Sequence, residues 1–277
     1  MRGTLYLVGT PIGNLEDITY RAVRILKEAD IIYCEDTRVT KKLCQHFEIT
    51  APLKAYHDHN KEVMTEQVID SLNNGLNCAL VSDAGLPLIS DPGYELVIAA
   101  RENEIKVESI PGPNAALTAL MTSGLSSYSF LFDGFLPRKD NEKKQRLSHL
   151  MALPHTIIIY ESPYRVKHTL ETIKIIDEDR MVSIARELTK KFEQVETMLV
   201  TEAIKALDDT IKLKGEFVIC IAPYDKQSEN NWWDKLSIVD HVEHYIESGM
   251  KSKEAIKQTS VDRQMKKQDV YQAYHIQ

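Results

Sequence analysis

ALVSDAGLPLISDPG, residues 79–93, is the stretch from which the rest of the chain is read. An apolar, strand-like run stops at Ser82. Two turns of the same spelling follow, Ser-Asp-Ala-Gly (82–85) and Ser-Asp-Pro-Gly (90–93), with Leu86, Pro87, Leu88 and Ile89 between them. An ordinary connection needs about 2–6 residues and no apolar filling. In the second turn Asp91 has the chemistry of an N-cap and Pro92 suits a first helical position, which predicts a helix over 92–103. In the first turn Asp83 falls at the carboxyl end of a central strand, where open parallel sheets bind ligands. A carboxylate there suits hydroxyl, amine or amide donors. Gly85 lets backbone approach closely, and residues 86–89 make an apolar lip beside the pocket.

Outward from this stretch, strand-like runs alternate with helical patterns. Strands are expected at 4–9, 31–35, 53–57, 77–82 and 105–110, with helices over 18–29, 37–47 and 61–74 and another from Asn114. This alternation predicts an α/β domain over 1–118 with a mainly parallel sheet, buried on both faces. The pattern restarts with strands at 128–135, 155–162, 181–187 and 216–222, and helices over 139–152 and 163–176. The mixed run VETMLVT (195–201) suits an antiparallel strand. A second α/β domain is thus expected over 119–224. Residues 225–235 form a polar linker, and short helices are expected over 236–247, 252–259 and 266–275. These three resemble a helix-turn-helix unit; a plain helical cap packed on the body is the alternative.

A chain of 277 residues with 43% hydrophobic and 27% charged residues is ordinary for a globular protein of two domains, or of one large domain with an appendage. It contains no apolar run of about 18 residues that would span a membrane. The N-terminal MRGTLYLVGTPIG breaks too early for a signal peptide and reads as a first buried strand. Cys34, Cys44, Cys78 and Cys220 form no C-x-x-C pair and suit buried thiols in a reducing cytoplasm. His57 and His59 lack a third ligand nearby, so no metal site is expected. A net charge of −7 argues against unselective coating of nucleic acid, but basic groups concentrate at 138–146 and 248–277.

Five consecutive strands end in unusual loops: VGTPIGN (8–14), EDTR (35–38), YHDHN (56–60), the opening stretch, and PGPNAAL (111–117). Neither G-x-G-x-x-G nor G-x-x-x-x-G-K-[ST] occurs, so neither phosphate-binding loop is present. Five such loops on one edge mark a binding face. GTPIGNLEDIT, EDTR, YHDHN, VSDAGLPLISDPG, PGPNAALTAL and YESPYR (160–165) together resemble the small-subunit ribosomal RNA cytidine-2′-O-methyltransferases, within the tetrapyrrole-methylase superfamily. The resemblance runs over about 1–224, and the tail is similar to that family's C-terminal helix-turn-helix segment.

The resemblance implies two α/β domains of the class III methyltransferase type, with S-adenosylmethionine in the cleft between them, and a homodimer. It implies methylation of a cytidine ribose in 16S small-subunit ribosomal RNA, in the decoding-centre region, on naked RNA or an assembled subunit. The cofactor contacts it implies are Pro11 and Gly13 in the first loop, Asp83, Gly85 and Leu86 in the fourth, and Ala116 and Leu117 after the P-G turn. From the second domain they are Tyr160, Ala185 and Ala222.

Methyl transfer from a sulfonium needs an aligned nucleophile, and a ribose hydroxyl needs somewhere to send its proton. Asp36 and His57 are the preferred bases, with Glu35 and Glu161 also on the face. Arg38, Arg165, Arg186 and Lys190 are candidate phosphate contacts, with Lys266, Lys267 and the neighbouring tail bases Lys251, Lys253, Lys257 and Arg263. A relative acting on a tetrapyrrole or a modified protein side chain is one competing reading. A nonenzymatic RNA-binding module using the tail alone is another.

Overall fold

A computed structural model of the chain describes residues 2–224, 232–233, 235–263 and 265–275; most of the expected linker, 225–235, lies outside the described residues. The contacts divide the chain into one unit over Met1–Tyr224 and another over Asp225–Gln277.

The first unit opens with strands β1 (Thr4–Val8), β2 (Ile31–Cys34), β3 (Leu53–Ala55), β4 (Cys78–Val81) and β5 (Lys106–Ile110). They pair in the order β3-β2-β4-β1-β5, and every pairing is parallel. Helices α1 (Tyr20–Glu28), α2 (Thr37–His46), α3 (Lys61–Asn73) and α4 (Tyr94–Glu102) join them. β2 and β4 are buried at every position, as strands covered on both faces must be. Their side chains alternate between two cores. Tyr33 and Leu80 meet Leu72 and Leu96 on one face, while Ile32 and Val81 meet Leu26 and Cys44 on the other. All four cysteines are buried and free.

A second sheet follows. It comprises β6 (Phe130–Phe135), β7 (Thr156–Glu161), β8 (Met181–Arg186), β9 (Gln194–Leu199) and β10 (Phe217–Ile221), in the order β6-β7-β10-β8-β9. Only β6 and β7 run parallel; β10 is antiparallel to both β7 and β8, and β9 to β8. Its helices are α5 (Ala115–Thr122), α6 (Asp140–Met151), α7 (Val166–Ile176) and α8 (Val200–Asp209). α8 is absent from the sequence reading, although Val200, Ala203, Leu207 and Ile211 repeat at helical spacing and are buried in this sheet's core. α5 also belongs here by packing. Ala116, Ala119 and Leu120 join Ile158, Ala185 and Val218 in one apolar cluster, so the expected boundary at 118 falls inside a helix.

The helix expected over 92–103 starts later. Its first residue is Tyr94, and its cap is Gly93 at φ 134° with no side-chain hydrogen bond. Asp91 is therefore not an N-cap, nor Pro92 a first helical residue.

In the second unit, α9 (Ile238–Glu247), α10 (Ser252–Asp262) and α11 (Lys267–His275) share a core of Val242, Ala255, Ile256 and Val270. Ser237 and Asp240 form a capping box at the start of α9. Arg263 closes α10 from within: its Nε donates to His241 Nδ1 at 3.0 Å and its Nη2 to the carbonyls of Trp233 and Leu236 at 2.9 and 2.6 Å. An arginine so engaged is a strut for the unit, which removes it from the expected phosphate contacts. No helix among the described residues is long and apolar enough to cross a membrane.

Candidate active site

The order of the first sheet places β1 between β4 and β5, so the loops after all three strands converge. Thr10 and Gly85 exchange backbone hydrogen bonds of 2.9 and 3.1 Å, and Thr10 Oγ1 donates to the Ser82 carbonyl at 3.2 Å. Gly85 has φ 87°, a left-handed conformation that glycine adopts without a Cβ penalty. Gly9 and Gly112 meet backbone to backbone: a Cβ on Gly9 would lie 2.7 Å from Gly112 Cα. These contacts hold the 82–93 loop over a cleft of about 380 Å³ whose other wall is the edge of the second sheet. That volume lies in the range of small-molecule sites.

Of the expected cofactor residues, Asp83, Gly85, Leu86, Tyr160 and Ala185 line this cleft. Several others do not. Ile12 lines it, between a buried Pro11 and a Gly13 that rests against the Lys190 side chain. Ala116 is buried and its N–H donates to Tyr160 Oη at 3.3 Å, so it positions the tyrosine. Leu117 is 45% exposed on the outer side of α5, and Asn114 and Ala115 face the cleft instead.

Ala222 is at the wrong end of its strand. β10 runs antiparallel, so Val218 is the residue opposite both Tyr160 and Ala185, while Ala222 lies past Ile221 beside Met181. Reading the strand as parallel picks its far end. Phe217, Val218 and Glu216, at the near end, line the cleft and were missed.

The side chains on this face are unequally free. Asp36 caps α2, accepting from the Arg38 N–H at 2.8 Å, and the Arg38 guanidinium grips its carboxylate at 2.6 Å. That hydrogen bonding pulls the Asp36 carboxyl down to about 2, which makes it a feeble proton acceptor. Glu161 accepts from Thr169 Oγ1 at 2.8 Å and the Ser162 N–H at 2.9 Å, with Arg165 Nε at 3.4 Å. His57 stands near His59, ring centroids 6.0 Å apart, with its Nδ1 buried and unpartnered; neither histidine lines the cleft.

Asp83 Oδ1 accepts the Asp36 N–H at 3.0 Å. Burial, with the Asp36 charge adding, still raises the Asp83 carboxyl above the usual range. Asp91 faces the cleft a few residues on. Burial, then the charges of Glu35 and Asp83, push it up to about 6, and the nearby Ser82 hydroxyl offsets this only in part. Glu35 is raised too, by burial and by Asp83.

The expected phosphate contacts fare worse. Arg165 donates to the carbonyls of Leu136 and Pro137, both at 2.9 Å, and Arg186 is buried and donates to those of Lys214 and Phe192 at 2.7 and 3.2 Å. Both are structural ties. Lys190 bridges Glu187 and Glu216 at 2.9 Å each, and Arg38 is exposed but held by Asp36. In the basic segment 138–146, Lys143 is buried against His168, Arg146 pairs with Asp133 and Lys139 with Glu142. Arg138 and Lys144 are exposed.

The donor set suits a cationic ligand. Among the described residues, Asp83, Asp91, Glu161 and Glu216 line the cleft and no lysine, arginine or histidine does. S-Adenosylmethionine carries a sulfonium and an ammonium, together with an adenosine that apolar walls such as Ile12, Phe135 and Val218 can cover. Asp83, Gly85 and Leu86 line the cleft from the first sheet, and Tyr160, Ala185 and Val218 from the second.

Comparison with known proteins decides the family. Residues 4–204 match the model of the Tetrapyrrole (Corrin/Porphyrin) Methylases. The chain belongs to that family. It is 53% identical over 277 residues to "Ribosomal RNA small subunit methyltransferase I" of Halalkalibacterium halodurans, covering 99% of this chain and 95% of the relative. It is 48% identical to the protein of the same name from Bacillus subtilis, covering 99% and 94%. The fold is also that of a uroporphyrin-III C-methyltransferase from Thermus thermophilus, solved with S-adenyl homocysteine (TM-score 0.56, 18% identity, 79% of this chain and 97% of the other).

Proposed function

We infer that the protein uses S-adenosylmethionine to methylate small-subunit ribosomal RNA, at the 2′-hydroxyl of a cytidine ribose. The full-length identity to relatives named for small-subunit ribosomal RNA methylation carries this reading. The acidic cleft, lined by no basic side chain among the described residues, supports it. The cofactor would supply an electrophilic methyl group on a positively charged sulfur. The chain's own task is then positioning. Asp83 would accept hydrogen bonds from the ligand with the lone pairs left by Asp36. Tyr160, steadied by Ala116 and by Phe132 (ring centroids 4.8 Å apart), would wall the site. Leu86 and Ile89 would cover it from the loop.

The reading includes a cytoplasmic protein that meets RNA or the assembled subunit, and a homodimer. Leu117 and Met121, one turn apart on α5 and 45% and 83% exposed, leave an apolar strip that supports a covering copy. Sedimentation tests this; a monomer at micromolar concentration rules it out. Mapping ribose methylation in ribosomal RNA from cells with and without the gene tests the function. A cytidine 2′-O-methyl group that disappears with the gene is the expected result, and an unchanged map overturns the reading.

A further inference from the structure

Asp91 sits in a loop whose backbone is held in an uncommon shape. Between β4 and α4, Gly85, Leu88, Ser90 and Gly93 all have positive φ, at 87°, 71°, 65° and 134°. Two of these are not glycine, and Leu88, a γ-branched residue, gains nothing locally from a left-handed conformation. Such strain persists only where packing over-determines it, and it gathers at functional sites. The packing is visible. Leu88 packs against the core of the first sheet, and Ser90 Oγ fits where Gly134 has no side chain. Together they carry Asp91 away from the helix-capping position its sequence suits and into the cleft wall.

Apart from Glu35, which does not line the cleft, the other acids on this face already have a partner. Asp36 is held by Arg38, Glu161 by Thr169, Ser162 and Arg165, Glu216 by Lys190, and Asp83 by the Asp36 N–H. No basic side chain among the described residues lines the cleft to neutralise Asp91. We propose that Asp91 is the proton acceptor for the ribose 2′-hydroxyl, an assignment that rests on the methyl-transfer reading above. The ribose oxygen forms its new bond to the methyl carbon as the C–S bond breaks, and that electron pair stays on sulfur. The hydroxyl proton passes to an Asp91 carboxylate oxygen and from there to water. The groups facing Asp91 are Glu35 from the end of β2, Ser82 and Asp83 from the end of β4, and Tyr160 from β7. Burial first, and then the two carboxylates, keep its proton affinity near that of a useful base at neutral pH.

The test uses the full chain, tritiated S-adenosylmethionine and methyl-deficient small ribosomal subunits. Wild-type turnover should fall on acidification through a limb near pH 6, where Asp91 takes up its proton. Carbon NMR of the labelled aspartates in the protein without substrate should show one titrating in the same range and absent from D91N. At saturating cofactor D91N should lose roughly 10²–10⁴ in turnover, with no acid limb remaining. Glu35→Gln removes a neighbouring charge and should move the wild-type limb to lower pH. D91N that keeps the limb, or that loses its activity through lost cofactor binding, overturns the assignment. Should D91N fail to fold, an unmoved limb in E35Q overturns it equally. A wild-type protein that binds cofactor but methylates no RNA overturns the functional reading, and this one with it.

Discussion

The carboxylate of Asp83, at the end of β4, accepts the backbone N–H of Asp36, at the end of β2, at 3.0 Å. One bond therefore joins the 82–93 loop to the loop that carries Arg38, and it leaves Asp83 with lone pairs free toward the cleft. Asp83→Ala removes both roles. A charge-assisted hydrogen bond contributes roughly 1.5–3 kcal/mol, so affinity for S-adenosylmethionine should fall at least about tenfold by calorimetry. Unchanged affinity in a folded variant takes Asp83 out of the site.

Asp91 makes the protein less stable when it is ionised. Its carboxyl is raised from 3.8 to about 6 on folding, so between those values the folded state binds more protons than the unfolded chain. Stability from this group is fully present below pH 3.8 and is lost as pH rises through 6. Asp91→Asn should therefore melt higher than wild type at pH 8, and the advantage should shrink toward pH 4.5. A melting difference that does not change with pH refutes the burial argument. The expected gain in stability with loss of turnover is the usual trade at a strained site.

Gly9 and Gly112 leave no room for a side chain between the first and fifth loops. A Cβ on Gly112 would stand 2.8 Å from Gly9 Cα, and backbone cannot swing aside as a flexible side chain can. Gly112→Ala should cost about 1–3 kcal/mol and lower the melting temperature by several degrees. Cofactor affinity should fall with it, because Gly9 directly precedes Thr10, which bridges to Gly85 at the cleft. A melting curve matching wild type shows that the loops separate freely.

In the tail, the exposed lysines and Arg263 should behave differently. Lys266 and Lys267 are exposed at the start of α11, with no ion pair among the described residues, whereas Arg263 ties α10 to His241 and to the chain before α9. Replacing both lysines with alanine should flatten the slope of log RNA affinity against log salt by about 1.4–1.8 in total, at 0.7–0.9 per contact, with melting unchanged. Arg263→Ala should instead lower the stability of the second unit. An unchanged slope in the double lysine variant makes the tail a structural cap.

Much of this protein is legible in its sequence, because the signals are local. Buried strands such as IIYC and CALV are apolar throughout, helix starts carry Thr19, Asp36 and Asn114 as caps, and the unusual loops mark one edge of the first sheet. That spacing and spelling also carried Asp83, Gly85 and Leu86 into the cleft. What the sequence could not decide depends on direction and on partners. Whether β10 presents Val218 or Ala222 follows from its antiparallel pairing, which no residue within the strand encodes. Arg165, Arg186 and Arg263 read as free cations until the fold brings carbonyl oxygens to them from residues between 6 and 30 positions away. Asp91 shows the same limit most sharply. Its local chemistry is that of a helix cap, and only the packing of Leu88 and Ser90 in left-handed conformations turns it into a cleft where burial and two neighbouring carboxylates raise its proton affinity.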